Sequence, residues 1–108
     1  MEGLTDYPVK NPATGNLITD IDLIKNGILW ENKSAAFAGD IQKLVAKHIN
    51  QKFASYVEAR KHLCGYSDAP IGFLFDAKPA DPALASAIEQ AVDALRKANP
   101  NITILLQW

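Results

Sequence analysis

The chain is short of several things, and each shortage removes a class of protein. It has 108 residues and a single cysteine, Cys64. One thiol excludes an intramolecular disulfide and a cysteine-rich zinc site, and suits work in a reducing compartment. No apolar stretch approaches the roughly 20 residues needed to span a bilayer, so no membrane association is expected. The first residues lack the basic-then-apolar pattern of a secretory leader. Gly-rich phosphate loops, a nucleophile elbow and a Ser-His-Asp pattern are all missing. Repeats and low-complexity segments are missing too. Positive charge is not in excess either: 11 Lys and Arg stand against 12 Asp and Glu, for a net charge of −1. A global basic footprint, usual in nucleic-acid binders, is therefore absent. Lys43, Lys47, Lys52, Arg60 and Lys61 remain candidates for a local basic side.

What is present suits one globular domain over residues 1–108. Hydrophobic residues make up 48% and charged residues 21%, which are ordinary values for a packed domain. That length buries enough surface to fold without staples.

The most informative segment runs from Asn16 to Ser34. Asn26-Gly27 sits between two apolar runs, and both residues accept the positive φ of a type I′ turn. The turn fixes a register. Lys25 pairs with Ile28, Ile24 with Leu29, Leu23 with Trp30, Asp22 with Glu31, Ile21 with Asn32 and Asp20 with Lys33. Side chains alternate between faces. Asp20, Asp22, Glu31 and Lys33 therefore share one face, and Ile21, Leu23, Trp30 and Asn32 the other. Like charges directly opposed on a sheet are destabilising. A divalent cation between Asp22 and Glu31 would remove that repulsion, and Lys33 could orient a water or steady charge on a phosphate oxygen. The same residues also suit a plain solvated face with an Asp20–Lys33 ion pair.

These residues resemble the signature of the PD-(D/E)XK nuclease superfamily. Asp20-Ile21-Asp22-Leu23-Ile24 is similar to the strand that carries the first acid. Glu31-Asn32-Lys33-Ser34 is similar to the Glu-x-Lys element. The resemblance covers residues 17–62 and rests on strand, tight turn, strand and long helix in the right phase. It implies Asp22 and Glu31 as metal ligands, Lys33 as the catalytic lysine and Asp20 as an accessory acid. The implied cofactor is Mg²⁺ or another divalent cation such as Mn²⁺ or Zn²⁺. Many members add an acid from a helix before the first strand. Here Gly3, Pro8, Pro12 and Gly15 argue against such a helix, so Glu2 or Asp6 supplies that acid from a loop, the helix lies upstream of these residues, or the ligand is lacking.

The whole chain also resembles the C-terminal toxin domains of contact-dependent growth inhibition and other polymorphic toxin systems. The carrying features are the opening Tyr7-Pro8-Val9-Lys10-Asn11-Pro12-Ala13-Thr14-Gly15 and the closing apolar run Ile102–Leu106. This resemblance implies a nucleic-acid substrate, tRNA or DNA, and a cognate immunity protein as partner. It further implies export within a large bacterial surface protein and action in the target-cell cytoplasm. Two other readings remain open. One is a non-catalytic α/β binding module, such as an immunity or adaptor protein. The other is a metal-independent RNase using His48, His62 and Lys33.

Along the rest of the chain, residues 1–16 read as a loop segment with a short strand at Tyr7–Lys10. A long helical pattern runs from about 35 to 63, carried by Phe37, Ile41, Leu44, Val45, His48, Ile49, Phe53, Tyr56, Val57 and Leu63. Ser34 is a candidate N-cap, with Asp40 as a later start because of Gly39. Gly65 marks the helix end. Ala69–Phe75 reads as a buried strand. Asp81-Pro82 opens a helix over 82–98, and Ile102–Leu106 is a last strand. The expected fold is α/β: a β-hairpin followed by α-β-α-β around a mixed sheet, compatible with a PD-(D/E)XK nuclease-like core. Gln42, early in the helix, is a further candidate for contact with phosphate or water. Gln51 and Tyr56 rank below it. His48 reads as a core histidine, His62 as a helix-end cation, Asp76 as a turn former and Trp30 as a core anchor.

Overall fold

The computed structural model describes residues 3–33, 40–75 and 81–108. Ser34, Phe37 and Asp76, together with Glu2 and the first turn of the expected long helix, lie outside the described residues. Five strands form one sheet in the order β1-β2-β3-β4-β5. They are β1 (Leu4–Lys10), β2 (Leu17–Lys25), β3 (Ile28–Lys33), β4 (Ile71–Phe75) and β5 (Ile104–Gln107). The first three are antiparallel neighbours, and β3-β4 and β4-β5 are parallel. The fold is therefore mixed α/β.

Local chemistry explains most of these elements. Asn26 and Gly27 have φ of 55° and 74°, the pair of positive values that a type I′ hairpin requires. The ladder beside them is Lys25↔Ile28, Ile24↔Leu29 and Leu23↔Trp30. The short strand expected at Tyr7–Lys10 is present and starts earlier, at Leu4, as the edge of the sheet. Pro8 is tolerated in β1 because an edge strand leaves one side of its backbone unpaired, and Pro8 stands opposite Asp20. Asp6 interrupts β1 with a φ of 50°, a value that aspartate tolerates better than most residues.

The helical rod over residues 41–60 has three parts. It begins with α1 (Ile41–Leu44), passes through a π-helical segment (Val45–Gln51) and continues as α2 (Lys52–Arg60). Asp40 caps it, its carboxylate accepting from the backbone N–H groups of Gln42 and Lys43. The other helix, α3 (Pro82–Ala98), starts on Asp81 as N-cap with Pro82 in its first turn. It buries Leu84, Ala85, Ile88 and Val92 along one stripe. The rod and α3 pack on each other and share one core with the sheet. Tyr56, Phe73, Ile21, Ile24, Leu29, Ile49, Ile71, Ile88 and Val92 are its largest fully buried side chains.

On β3, Trp30 is buried but stands outside that core cluster. Its indole lies over Gly72 of the neighbouring strand, so a Cβ at position 72 would run into the ring. We expect Gly72→Ala to destabilise the domain by about 1–3 kcal/mol, the usual cost of overpacking. Urea unfolding with an unchanged m-value would check this.

Candidate functional site

β2 is gripped from both sides at Asp22. Strict alternation would put residues three apart on opposite faces, yet Ile21 and Ile24 are both fully buried in the one core. The strand changes phase between them. The ladder with β3 stops at Leu23↔Trp30, and the expected backbone pairing of Asp22 with Glu31 is replaced by side chains. The Asp22 N–H donates to the Tyr56 hydroxyl at 3.1 Å. The Asn32 N–H donates to Asp22 Oδ2 at 2.9 Å. Tyr56, one turn into α2, lies 3.2 Å from the Trp30 carbonyl and 2.9 Å from Glu31 Oε2.

That hydroxyl has one proton and three partners. It accepts from Asp22 N–H. Its proton can go to the Trp30 carbonyl or to Glu31, but not to both at full strength. A protonated Glu31 relieves that competition, because the Tyr56 proton is then free for the Trp30 carbonyl. Electrostatics lead to the same state. Glu31 is only 3% exposed, and burial, followed by the charge of Asp22, raises its pKa from 4.5 to about 7. The tyrosine bond and Lys52 pull the other way, and a hydrogen bond with the Asp22 carboxyl adds to the rise. Burial and the neighbouring Glu31 also push the Tyr56 phenol well above its ordinary value, so it stays protonated.

The structure thus brings Asp22 and Glu31 together, but not on a solvated face. Glu31 points into the core against Tyr56. Lys33 follows two residues later at the end of β3, half-buried and in register with Phe75. Its charge, with those of Lys47 and Lys52 and with burial as the larger cause, holds the His48 imidazole below its ordinary pKa. His48 is therefore neutral near pH 7, and its Nδ1 is buried without a partner among the described residues. Asp20 is exposed on β2 opposite Pro8. Gln42 is set apart. It lines the groove where the rod meets α3, beside Ala87, Gln90 and Ala91.

Two residues of the site were underrated in the sequence. Tyr56 was placed below Gln42, and Lys52 was read only as part of a general basic side. The usable signal was the four-residue step between Lys52 and Tyr56, which sets both on one helix row.

Two carboxylate oxygens are committed: Asp22 Oδ2 to Asn32 and Glu31 Oε2 to Tyr56. Each acid keeps one oxygen free of those bonds. Two hard oxygen donors suit a cation that retains several waters, as Mg²⁺ does. Among the described residues, no group of three or more His, Cys, Asp or Glu is placed to hold a metal. The two free oxygens fit a hydrated, oxygen-seeking ion. No helix of the described residues is long and apolar enough to cross a membrane. No family model, curated protein or solved structure matches the chain.

The raised Glu31 pKa sets a pH dependence. Between about 4.5 and 7 the unfolded chain ionises Glu31 while the folded chain keeps it protonated. Stability contributed by this residue is thus intact below pH 4.5, falls as pH rises through that window, and levels off above about 7. The total loss is at most about 3 kcal/mol. We expect Glu31→Gln, which can donate to Tyr56 at any pH, to flatten that slope and to be the more stable protein above neutrality. Urea unfolding of both proteins across the window checks the sign. A cation needs ionised Glu31, so its binding should release a proton. Thermal stabilisation by Mg²⁺ is expected to be larger at about pH 8 than at about pH 5.5.

Proposed function

We propose that this chain is a metal-dependent nuclease of the PD-(D/E)XK type, acting as a toxin domain on tRNA or DNA. The observation that carries the reading is the Asp22–Glu31 pair. Two acids are held together at the break of a β-ladder, one of them buried. The fold spends stability on keeping them there, and a solvated surface face would not require that. Support also comes from the order of the elements. Asp22 lies in β2, the Asn26-Gly27 turn follows, Glu31 and Lys33 lie in β3, and the helical rod comes next. That is the sequence of parts on which the resemblance rests.

In this reading Asp22 and Glu31 would be the residues that hold Mg²⁺. A bound Mg²⁺ supplies Lewis-acid polarisation of the scissile phosphate and a lower pKa for an attacking water. Asn32 and Tyr56 hold the two carboxylates in position, which limits the reorganisation left once Glu31 has lost its proton. Lys33 steadies negative charge developing on the phosphate oxygens. Asp20, exposed on the same strand, takes at most an accessory part.

A toxin domain must be neutralised in the cell that makes it. The reading therefore includes a cognate immunity protein that covers the acid pair or blocks substrate docking. It also includes export within a larger bacterial surface protein and action in the target-cell cytoplasm.

The direct test is incubation of the purified chain with total RNA and with plasmid DNA, in Mg²⁺ and in EDTA. We expect cleavage of one substrate, lost on chelation. Asp22→Ala and Lys33→Ala are each expected to reduce the rate by at least about 100-fold, since each removes several kcal/mol of barrier lowering. Both should stay folded, and in Asp22→Ala the relief of repulsion with Glu31 should offset the lost bond from the Asn32 N–H, leaving apo stability about level. Cleavage that survives EDTA would favour a metal-free RNase using His48, His62 and Lys33. Full activity in either variant would sink the site. In bacteria, the unmutated chain expressed alone is expected to be toxic, with rescue by its immunity partner.

A further inference from the structure

Positive charge gathers on the helix side of the acid pair. Lys52 opens α2 one turn before Tyr56 and is half-buried. Its Nζ lies 3.5 Å from Thr19 Oγ1 of β2. Lys33 approaches from the end of β3, two residues past Glu31. Lys47 stands on the rod five residues before Lys52, inside the π-helical segment. His48 sits among all three and is driven neutral by them and by burial. The wider i→i+5 winding of a π-helix changes which residues fall on one row. It places Lys47 and His48 either side of the row that continues through Lys52 and Tyr56.

The ion pairs among the described residues are Lys61 and His62 with Glu58, and Arg96 with Asp93. Lys33, Lys47 and Lys52 take part in none of them. Half-buried Lys33 and Lys52, with exposed Lys47 on the same side of the rod, repel unless an anion joins them. The anion must be compact and able to accept several charge-assisted hydrogen bonds at once, and a phosphodiester meets both conditions.

We propose that Lys33, Lys47 and Lys52, arranged around His48, form a second phosphate-binding subsite for the nucleic-acid strand. The phosphate next to the scissile one sits there, and the strand runs from the Asp22–Glu31 pair along the rod toward Lys47. The identity of the anion rests on the nuclease reading, whereas the convergence of the lysines does not. Lys47 and Lys52 are positioning residues in this scheme, and Lys33 is shared between the subsite and the reacting phosphate.

The test is the binding of a fluorescent single-stranded oligonucleotide, RNA and DNA in parallel, in EDTA, over a range of salt concentrations. Lys52→Met keeps the buried stem and removes the charge, and Lys47→Ala removes the outer member. Each is expected to weaken binding and to lower the magnitude of the log K against log salt slope by about 0.7, the value for one lost phosphate contact on a single strand. Lys52→Arg should retain the slope, and Lys97→Ala, at the far end of α3, should leave it unchanged. The oligonucleotide should also move the imidazole resonances of His48 while those of His62, paired with Glu58, stay in place. If the wild-type chain cleaves substrate, Lys47→Ala should raise KM with little change in kcat. If it cleaves nothing but the charge-dependent binding is found and lost as described, the subsite stands and the nuclease reading falls. Unchanged affinity and slope in both folded variants, or no binding by the wild-type chain, would overturn the subsite even in an active nuclease.

Discussion

A single phenolic oxygen holds the centre of this molecule open. Tyr56 reaches from the helix into the seam between β2 and β3 and takes the place of a ladder bond. Without it, Asp22 N–H and the Trp30 carbonyl would lack their partner, at a cost of about 1–3 kcal/mol per buried polar group left unmade. With it, the strands part just far enough for the Asp22 and Glu31 carboxyls to share the gap. The same oxygen anchors the rod, sets the phase of β2 and limits which protonation state of Glu31 is comfortable. Fold and candidate chemistry therefore depend on one contact.

The elements legible in the sequence are those built from local signals. Asn26-Gly27 specifies its turn, and Asp81-Pro82 starts α3 at the residue expected. The parallel strands followed from helices between apolar runs. β1 was less legible, because Pro8 and Asp6 argue for a loop when read alone. It forms since β2 offers an unpaired edge, and Val9 and Tyr7 face Thr19 and Ile21 across it. The long helix was expected as one uniform pattern, whereas seven of its residues wind as a π-helix. No local propensity marks that change.

The candidate site divides the same way. A turn and a period of two placed Asp22 near Glu31 on paper, because register near a tight turn is a short-range property. They gave the wrong environment. Glu31 was read on a polar face, but the rod covers it. Gln42 was placed by counting turns from the strand, and a helix capped at Asp40 turns it toward α3 instead. Tyr56 and Lys52 act from more than twenty residues away, at a distance where pattern reading carries no information about contact.

The two margins of the sheet differ in a way that bears on how this domain meets its neighbours. On β1, an incoming strand would find no N–H at Pro8 and a backbone turned out of line at Asp6. Such an edge refuses to be extended. On β5, the four residues Ile104–Gln107 carry neither proline nor a reversed dihedral. Crowded copies can therefore lengthen the sheet from one side only. A chain that cannot offer two sticky edges has no means of propagating itself into a fibre by edge pairing.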